Sequence, residues 1–384
     1  MTELGFAPSE DPFVVEHGGF YRRWLSMIDD VGELRETVAR LLVTTQDHWV
    51  PVWRSVGERY EADGDRLEAD GQYQAARKAY LQAKTYYAIG RFPGEVTPMK
   101  AEISEACARA YRKASAHLDP PLEVVQIGHQ GQSIGVHFRG PKETEGPVPA
   151  VLIMCGADVF KEDRGWAADL ALDQGLASVV MDGPATGENP FPWSPDSVSA
   201  WEAAVDYLAS RPEVDGGKIG AFGISRGGYS VMQLAGTVPE KVHAVVANAG
   251  HPFGYRMTDV EMHDFVAHAN RRAEWRFGEP DGPPSFSPTS REQEEERFEK
   301  WALSELGLVD RIVQPVFMIN GKHDHLAPIG NIYFMLESGP PTYRTARVYS
   351  DAGHCAFKYQ SDWAPATFRF LKEKLTTDLH RDTS

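Results

Sequence analysis

Along the chain, the period of the apolar positions changes once. From Tyr21 to about Leu118 they recur at spacings of three and four, as in RRWLSMIDDVGELRETVARLL and the alanine-rich runs after it. That period predicts helices and no strands. Within it, GDRLEADGQYQAARKAYLQAKTYYAIG has the small and aromatic spacing of a tetratricopeptide helix pair. A single such unit builds no solenoid, so the stretch is expected to be a helical hairpin in a cap domain over residues 1–118.

The texture breaks at Asp119-Pro120-Pro121. LEVVQI and SIGVHFR then flank a His-Gln-Gly-Gln turn and predict an antiparallel hairpin. Short apolar runs follow, separated by helical segments: AVLIM (150–154), ASVVMD (177–182), KIGAFG (218–223), HAVVANAG (243–250), PVFMING (315–321) and ARVYS (346–350). Strands that read as continuous hydrophobic runs are buried on both faces, so this order predicts an α/β fold: a mostly parallel sheet with helices on both sides. The catalytic-type domain would span 119–384. Its one irregular interval, 251–310, is too long for a strand-to-helix connection and is expected to be a lid insertion. The charge run REQEEERFEK inside it reads as a solvated helix face with i, i+4 pairs.

Composition narrows the function classes. A formal net charge of −16 disfavours nucleic acid and anionic membrane surfaces, which need clustered Lys and Arg. The three cysteines, Cys107, Cys155 and Cys355, are scattered and suggest neither a disulfide framework nor a zinc knuckle. The first residues lack a basic segment followed by an apolar core, and no stretch approaches about 20 apolar residues. A cytoplasmic protein is expected, with no nucleic-acid or membrane partner. The oligomeric state stays open, with the helical region offering a surface for a homodimer.

The chemistry begins where the run KIGAF meets Gly223-Ile224-Ser225-Arg226-Gly227-Gly228 and a helical pattern, YSVMQLAG, follows. G-x-S-x-G at a strand-to-helix turn is the nucleophile elbow, whose small residues let the backbone bend and present the serine hydroxyl. A serine needs a base and the base an orienting acid, in the chain order Ser, acid, His. Asp324 follows the run PVFMIN, and His354 follows ARVYS. Among thirteen histidines, position in the strand order singles out His354. The competing carboxylate Asp351 precedes the histidine by three residues and reads as a turn or cap, and Asp310 as a loop tether. His323-Asp324-His325 could be taken for a metal cluster, but adjacent side chains diverge and a third ligand at suitable spacing is not evident. No metal and no cofactor are expected. The oxyanion of a tetrahedral intermediate needs backbone N–H donors, one from the residue after the nucleophile, Arg226, and one from the loop Met154–Asp158, left open between Gly156 and Ala157. Cys155 reads as a small buried residue, and Asp182-Gly183-Pro184-Ala185-Thr186-Gly187 as a turn shaping the pocket floor.

Three stretches carry a resemblance: Gly156-Ala157-Asp158 followed by Lys161-Glu162, the elbow itself, and the late Gly-Lys-His-Asp and Gly-His pair. In these the chain resembles the α/β-hydrolase branch that holds 2,6-dihydroxypseudooxynicotine hydrolase, the fungal pigment polyketide-shortening hydrolases and the FrsA-like esterases. The resemblance implies Ser225 as nucleophile, Asp324 as acid and His354 as base. It departs at Cys155, where a first glycine is expected, and offers Glu261 only as a loose counterpart of a lid glutamate.

The leading expectation is hydrolysis, through an acyl-enzyme, of a C–C bond beside a ketone in an aromatic, polyketide-like or 1,3-dicarbonyl small molecule. Ester hydrolysis is the alternative, with acyl transfer and a catalytically silent binding protein behind it. Trp53, Tyr86, Tyr87, Phe92, Trp193, Phe253, Tyr255 and Trp275 suit a flat apolar substrate, although helix packing accounts for most of them one by one.

Overall fold

A computed structural model of the chain describes residues 49–92, 97–142, 144–274 and 289–377, with Ile28, Gly94 and positions 32–34, 36 and 37. The other helices expected before residue 49 lie outside the described residues. The chain divides into two compact units, Met1–Pro121 with Arg272–Phe286 and Leu122–Arg271 with Ser287–Ser384, so that the first break falls three residues beyond the boundary read from sequence.

The first unit contains helices α1 (Trp49–Ala69), α2 (Tyr73–Arg91) and α3 (Pro98–Ser115). A turn with Gly71 at φ +73° reverses the chain between α1 and α2, completing the expected hairpin. Thr97 caps α3, accepting from the Lys100 N–H, with Pro98 in the first turn where its missing N–H costs nothing. The core is aromatic: Trp53, Tyr86, Tyr87 and Phe92 are buried in it, so these four candidates for substrate contact are packing residues of the helical unit. Tyr87 donates to Glu61 at 2.8 Å, and Arg109 reaches both Glu61 oxygens at 2.9 Å. Burial would raise the Glu61 carboxyl, but bonds from Arg109, Tyr87 and Lys113 outweigh it and bring the pKa down to about 2.

The second unit is built on an eight-stranded sheet. Its strands are β1 (Glu123–His129), β2 (Gln132–Arg139), β3 (Val148–Met154), β4 (Ala177–Met181), β5 (Val214–Ile224), β6 (Ala244–Asn248), β7 (Val316–Gly321) and β8 (Arg344–Tyr349). Their spatial order is β1-β2-β4-β3-β5-β6-β7-β8. β1 and β2 pair antiparallel, as does β2 with β4, and the remainder are parallel. Gln130 and Gly131, both left-handed, make the two-residue loop that matches the twist of the first hairpin.

Helices α4 (Gly165–Asp173) and α10 (Gln360–Thr376) cover one face; α5 (Val198–Ser210) and α6 (Arg226–Thr237) cover the other. Double coverage explains why the central strands are apolar throughout rather than alternating. The insertion after β6 carries α7 (Asp259–Glu274) and α8 (Arg291–Trp301), while residues 275–288, with Trp275, lie outside the described residues. Helix α8 has the expected pairing, Arg291 to Glu295 at 2.8 Å, except that Glu294 turns inward to accept from Thr289. Helix α9 (Gly330–Glu337) joins β7 to β8. Among the described residues no helix is long and apolar enough to cross a membrane.

Candidate active site

Parallel strands end at one edge of the sheet, and loops leaving that edge converge. β5 delivers Ser225, β7 delivers Asp324 and β8 delivers His354. Ser225 sits at φ 60°, ψ −120°, a strained conformation for a residue with a side chain. The turn closes only because its glycines lack Cβ atoms: one on Gly223 would lie 2.0 Å from the Gly227 carbonyl oxygen, and one on Gly227 would lie 2.5 Å from that of Met154. The Ser225 N–H donates to the Asn248 carbonyl at 2.8 Å, fastening the elbow to β6.

Asp324 is buried. Its Oδ1 accepts from the N–H groups of Leu326 and Ala327 at 2.8 and 3.0 Å, and its Oδ2 meets His354 Nδ1 at 2.7 Å. Burial alone would raise this carboxyl, yet the His354 charge and these bonds hold it below its ordinary value. An ionised carboxylate only accepts, so Nδ1 carries the proton and the neutral ring presents Nε2 as an acceptor. Ser225 Oγ stands 2.8 Å from that nitrogen and can donate to it. Burial lowers the His354 pKa, but Asp324 more than compensates, raising it above the ordinary imidazole value and favouring the imidazolium.

The loop after β3 lies against the elbow. A Cβ on Gly156 would be 3.5 Å from Ser225 Cβ, and Gly183 in turn sits against the Gly156 carbonyl. The Asp182–Gly187 turn thus backs the loop expected to supply an oxyanion donor. Lys161 and Glu162, noticed in the sequence without a role, belong to a buried charge cluster that ties the two together. Lys161 Nζ lies 2.8 Å from Asp182, 2.9 Å from Glu188 and 3.2 Å from Glu162, and its backbone N–H donates to Asp182 at 2.6 Å. Burial, with Glu162 adding to it, lifts Asp182 to about 6 against the pull of Lys161. Cys155 is a buried free thiol whose pKa burial pushes up, the opposite of an activated nucleophile.

Arg226 lies 4.6 Å from the Trp193 ring, which stacks at 5.0 Å on Trp301 of the insertion; Tyr229 binds the Trp301 carbonyl at 2.7 Å. Phe253 is buried, its N–H held by Asn331. That bond orients the Asn331 amide, which donates from Nδ2 to Pro328 and to His251 Nδ1, leaving His251 protonated on Nε2. Burial lowers the His251 pKa to about 4. Sequence reasoning passed over this histidine. The remaining candidates fall elsewhere: Asp351 binds Lys358 and Tyr359 at 2.5 Å each, and Glu261 accepts from Tyr255 and Thr258 in the first turn of α7. Among the described residues, no group of three or more His, Cys, Asp or Glu side chains is arranged to hold a metal ion.

A family profile described as esterase FrsA-like matches residues 33–268, and one for the prolyl oligopeptidase family matches 192–378. The chain is 25% identical over 311 residues to 2,6-dihydropseudooxynicotine hydrolase of Paenarthrobacter nicotinovorans, covering 80% of this chain and 79% of that one. It is 27% identical to esterase FrsA of Vibrio cholerae over 52% of this chain and 48% of the esterase. The chain therefore spans about half the length of that esterase. The crystal structure of 2,6-dihydroxy-pseudo-oxynicotine hydrolase superposes with a TM-score of 0.73 at 22% identity, covering 93% and 96% of the two chains. AbyA5 superposes with a TM-score of 0.68 at 20% identity, covering 92% and 93%.

Proposed function

Because the chain belongs to the FrsA-like esterase family and is an α/β-hydrolase, we propose that it works through an acyl-enzyme on Ser225, with His354 as base and Asp324 as its orienting acid. One observation carries this: a continuous hydrogen-bonded line from Ser225 Oγ through both imidazole nitrogens to a buried carboxylate, at 2.8 and 2.7 Å. Ser225 Oγ adds to a substrate carbonyl carbon while its proton passes to His354 Nε2. The resulting oxyanion is met by the Arg226 N–H at the start of α6 and by an N–H of Gly156 or Ala157.

The substrate we propose is an aromatic, polyketide-like or 1,3-dicarbonyl ketone, cleaved at the C–C bond between the attacked carbonyl and a carbon whose negative charge a neighbouring carbonyl can take up. Collapse of the intermediate breaks that bond, the electron pair leaves as a stabilised enolate, and His354 returns the proton to it. Water, deprotonated by the same imidazole, then releases the acid from Ser225. The long match to a pseudooxynicotine hydrolase supports this reading. Hydrolysis of a carboxylic ester is the second reading, favoured by the esterase profile over residues 33–268.

A fluorophosphonate probe tests the first step: labelling is expected in the wild type and in Ser133→Ala and should vanish in Ser225→Ala. Unlabelled wild type would refute the serine mechanism. Comparing kcat/KM for aryl 1,3-diketones and aryl esters separates the two substrate classes, and turnover of esters alone overturns C–C cleavage.

A further inference from the structure

His354 is followed by Cys355 (φ 61°, ψ 6°) and Ala356 (φ 48°, ψ 38°), two successive residues with side chains in the left-handed region. Backbone of this kind is strained for residues with a side chain, so the turn persists only where its surroundings over-determine it. They do. The Cys355 N–H donates to Asn320 Oδ1 at 3.2 Å, and the Cys355 carbonyl accepts from Asn248 Nδ2 at 3.1 Å. The Ala356 carbonyl accepts from Trp363 Nε1 at 3.0 Å. Gly321 lets the loop come close, since a Cβ there would lie 2.2 Å from the Gly353 carbonyl oxygen.

Each asparagine has a second attachment. Asn320 Nδ2 donates to the Ala327 carbonyl at 2.8 Å, and the Ala327 N–H is one of the two that bind Asp324. Asn248, at the end of β6, accepts the Ser225 N–H on its backbone carbonyl. Both side chains are buried. One amide therefore joins the turn after His354 to the loop of the acid, and the other joins it to the elbow of the serine.

We propose that Asn248 and Asn320 are positioning residues: by gripping the two ends of Cys355 they hold His354 in register with Ser225 and Asp324 together. This rests on the catalytic reading of those three residues. Asn248 is the cleaner of the pair, because Asn248→Ala keeps the carbonyl that binds Ser225 and removes only the donor to Cys355.

The test is steady-state hydrolysis of p-nitrophenyl acetate as a function of pH, joined to an NMR titration of the His354 imidazole nitrogens. In Asn248→Ala, kcat should fall about 10- to 100-fold with KM within about twofold, the scale expected for a small misplacement of a catalytic group. The acidic limb of the profile and the imidazole titration should both move to lower pH, because a ring that drifts from Asp324 loses the carboxylate that favours its charged form. Asn248→Asp, which opposes the Cys355 carbonyl with an acceptor, should fall at least as far. Gln314→Ala is the control. It removes another buried amide, which donates to the Ala235 and Pro239 carbonyls just before β7 begins, at the far end of that strand from the Asp324 loop. It should lower thermal stability and leave the pH profile in place.

An unchanged kcat and His354 titration in Asn248→Ala, or the same displacement in Gln314→Ala, overturns the proposal. A wild type that neither hydrolyses the ester nor takes a fluorophosphonate, while Asn248→Ala still lowers the His354 titration point, rejects the serine mechanism and supports the positioning role.

Discussion

The helical unit and the sheet unit solve the packing problem in opposite ways. In α1 to α3 the described backbone stays in ordinary helical and turn conformations, and only Gly71 is left-handed. The buried Glu61 carboxylate is answered by Tyr87 and Arg109 on adjacent helices. Among the described residues of the sheet unit, six with side chains adopt positive φ, and four of them, Ser225, Ala249, Cys355 and Ala356, sit in the loops that carry or adjoin the candidate triad. Most of this strain is therefore placed where strands deliver the candidate reactive groups. Regular packing makes a stable unit; a hydroxyl, an imidazole and a carboxylate brought into line from three different strands require backbone that regular packing would not select.

That contrast can be broken most severely at Asp324. Asp324→Asn should reduce kcat about 10⁴-fold, since an amide in place of the carboxylate no longer fixes the His354 tautomer, while the unfolding midpoint should move little. Equal activity in an ester assay would remove Asp324 from the line. The helical unit should answer to packing instead. In Gly57→Ala the new Cβ would stand 2.4 Å from the Tyr87 ring, so urea unfolding should show a loss of about 1–3 kcal/mol.

The charge in the same core sharpens the comparison through pH. The folded pKa of Glu61, about 2, lies below that of a free glutamate, so its contribution is complete above the unfolded value and disappears as pH falls through the folded one. Stability curves of wild type and Glu61→Gln should therefore keep a constant offset of about 1–3 kcal/mol above about pH 4.5 and converge as pH falls towards 2. Parallel curves across that window would show that the pairing contributes nothing. The smallest effect belongs to Asp351→Asn, which alters an exposed carboxylate bound to Lys358 and Tyr359. Its kcat should stay within about twofold of wild type, because solvent screens an exposed ion pair and its loss leaves the His354 contacts in place.

Several of these distinctions were readable before any coordinates. G-x-S-x-G after a buried strand locates Ser225, and the order of later apolar runs separates His354 from the other histidines, because strand order is written in local hydrophobic period and turn chemistry. The same local signals leave the aromatics open between packing and ligand contact. Trp53, Tyr86 and Tyr87 have the composition of a flat-ligand site, and only burial shows that their partners are one another. His251 and Asn331 carry no motif, so the tautomer they settle is invisible along the chain. Lys161 and Glu162 stood out as a pattern, yet their meaning depends on the buried Asp182 and the exposed Glu188, 21 and 27 residues beyond Lys161 and both paired with it.

Fold class, elbow and the order in which the candidate serine, acid and histidine arrive are legible along the chain, because each is a matter of period, spacing and small residues at a turn. How those groups are held emerges only in three dimensions: the glycine contacts around Ser225, the two asparagine amides at Cys355, and the carboxylates around Lys161. These involve atoms distant along the chain whose mutual geometry exists only once the strands have paired, and no local pattern encodes a hydrogen bond between Asn248 and a carbonyl 107 residues later.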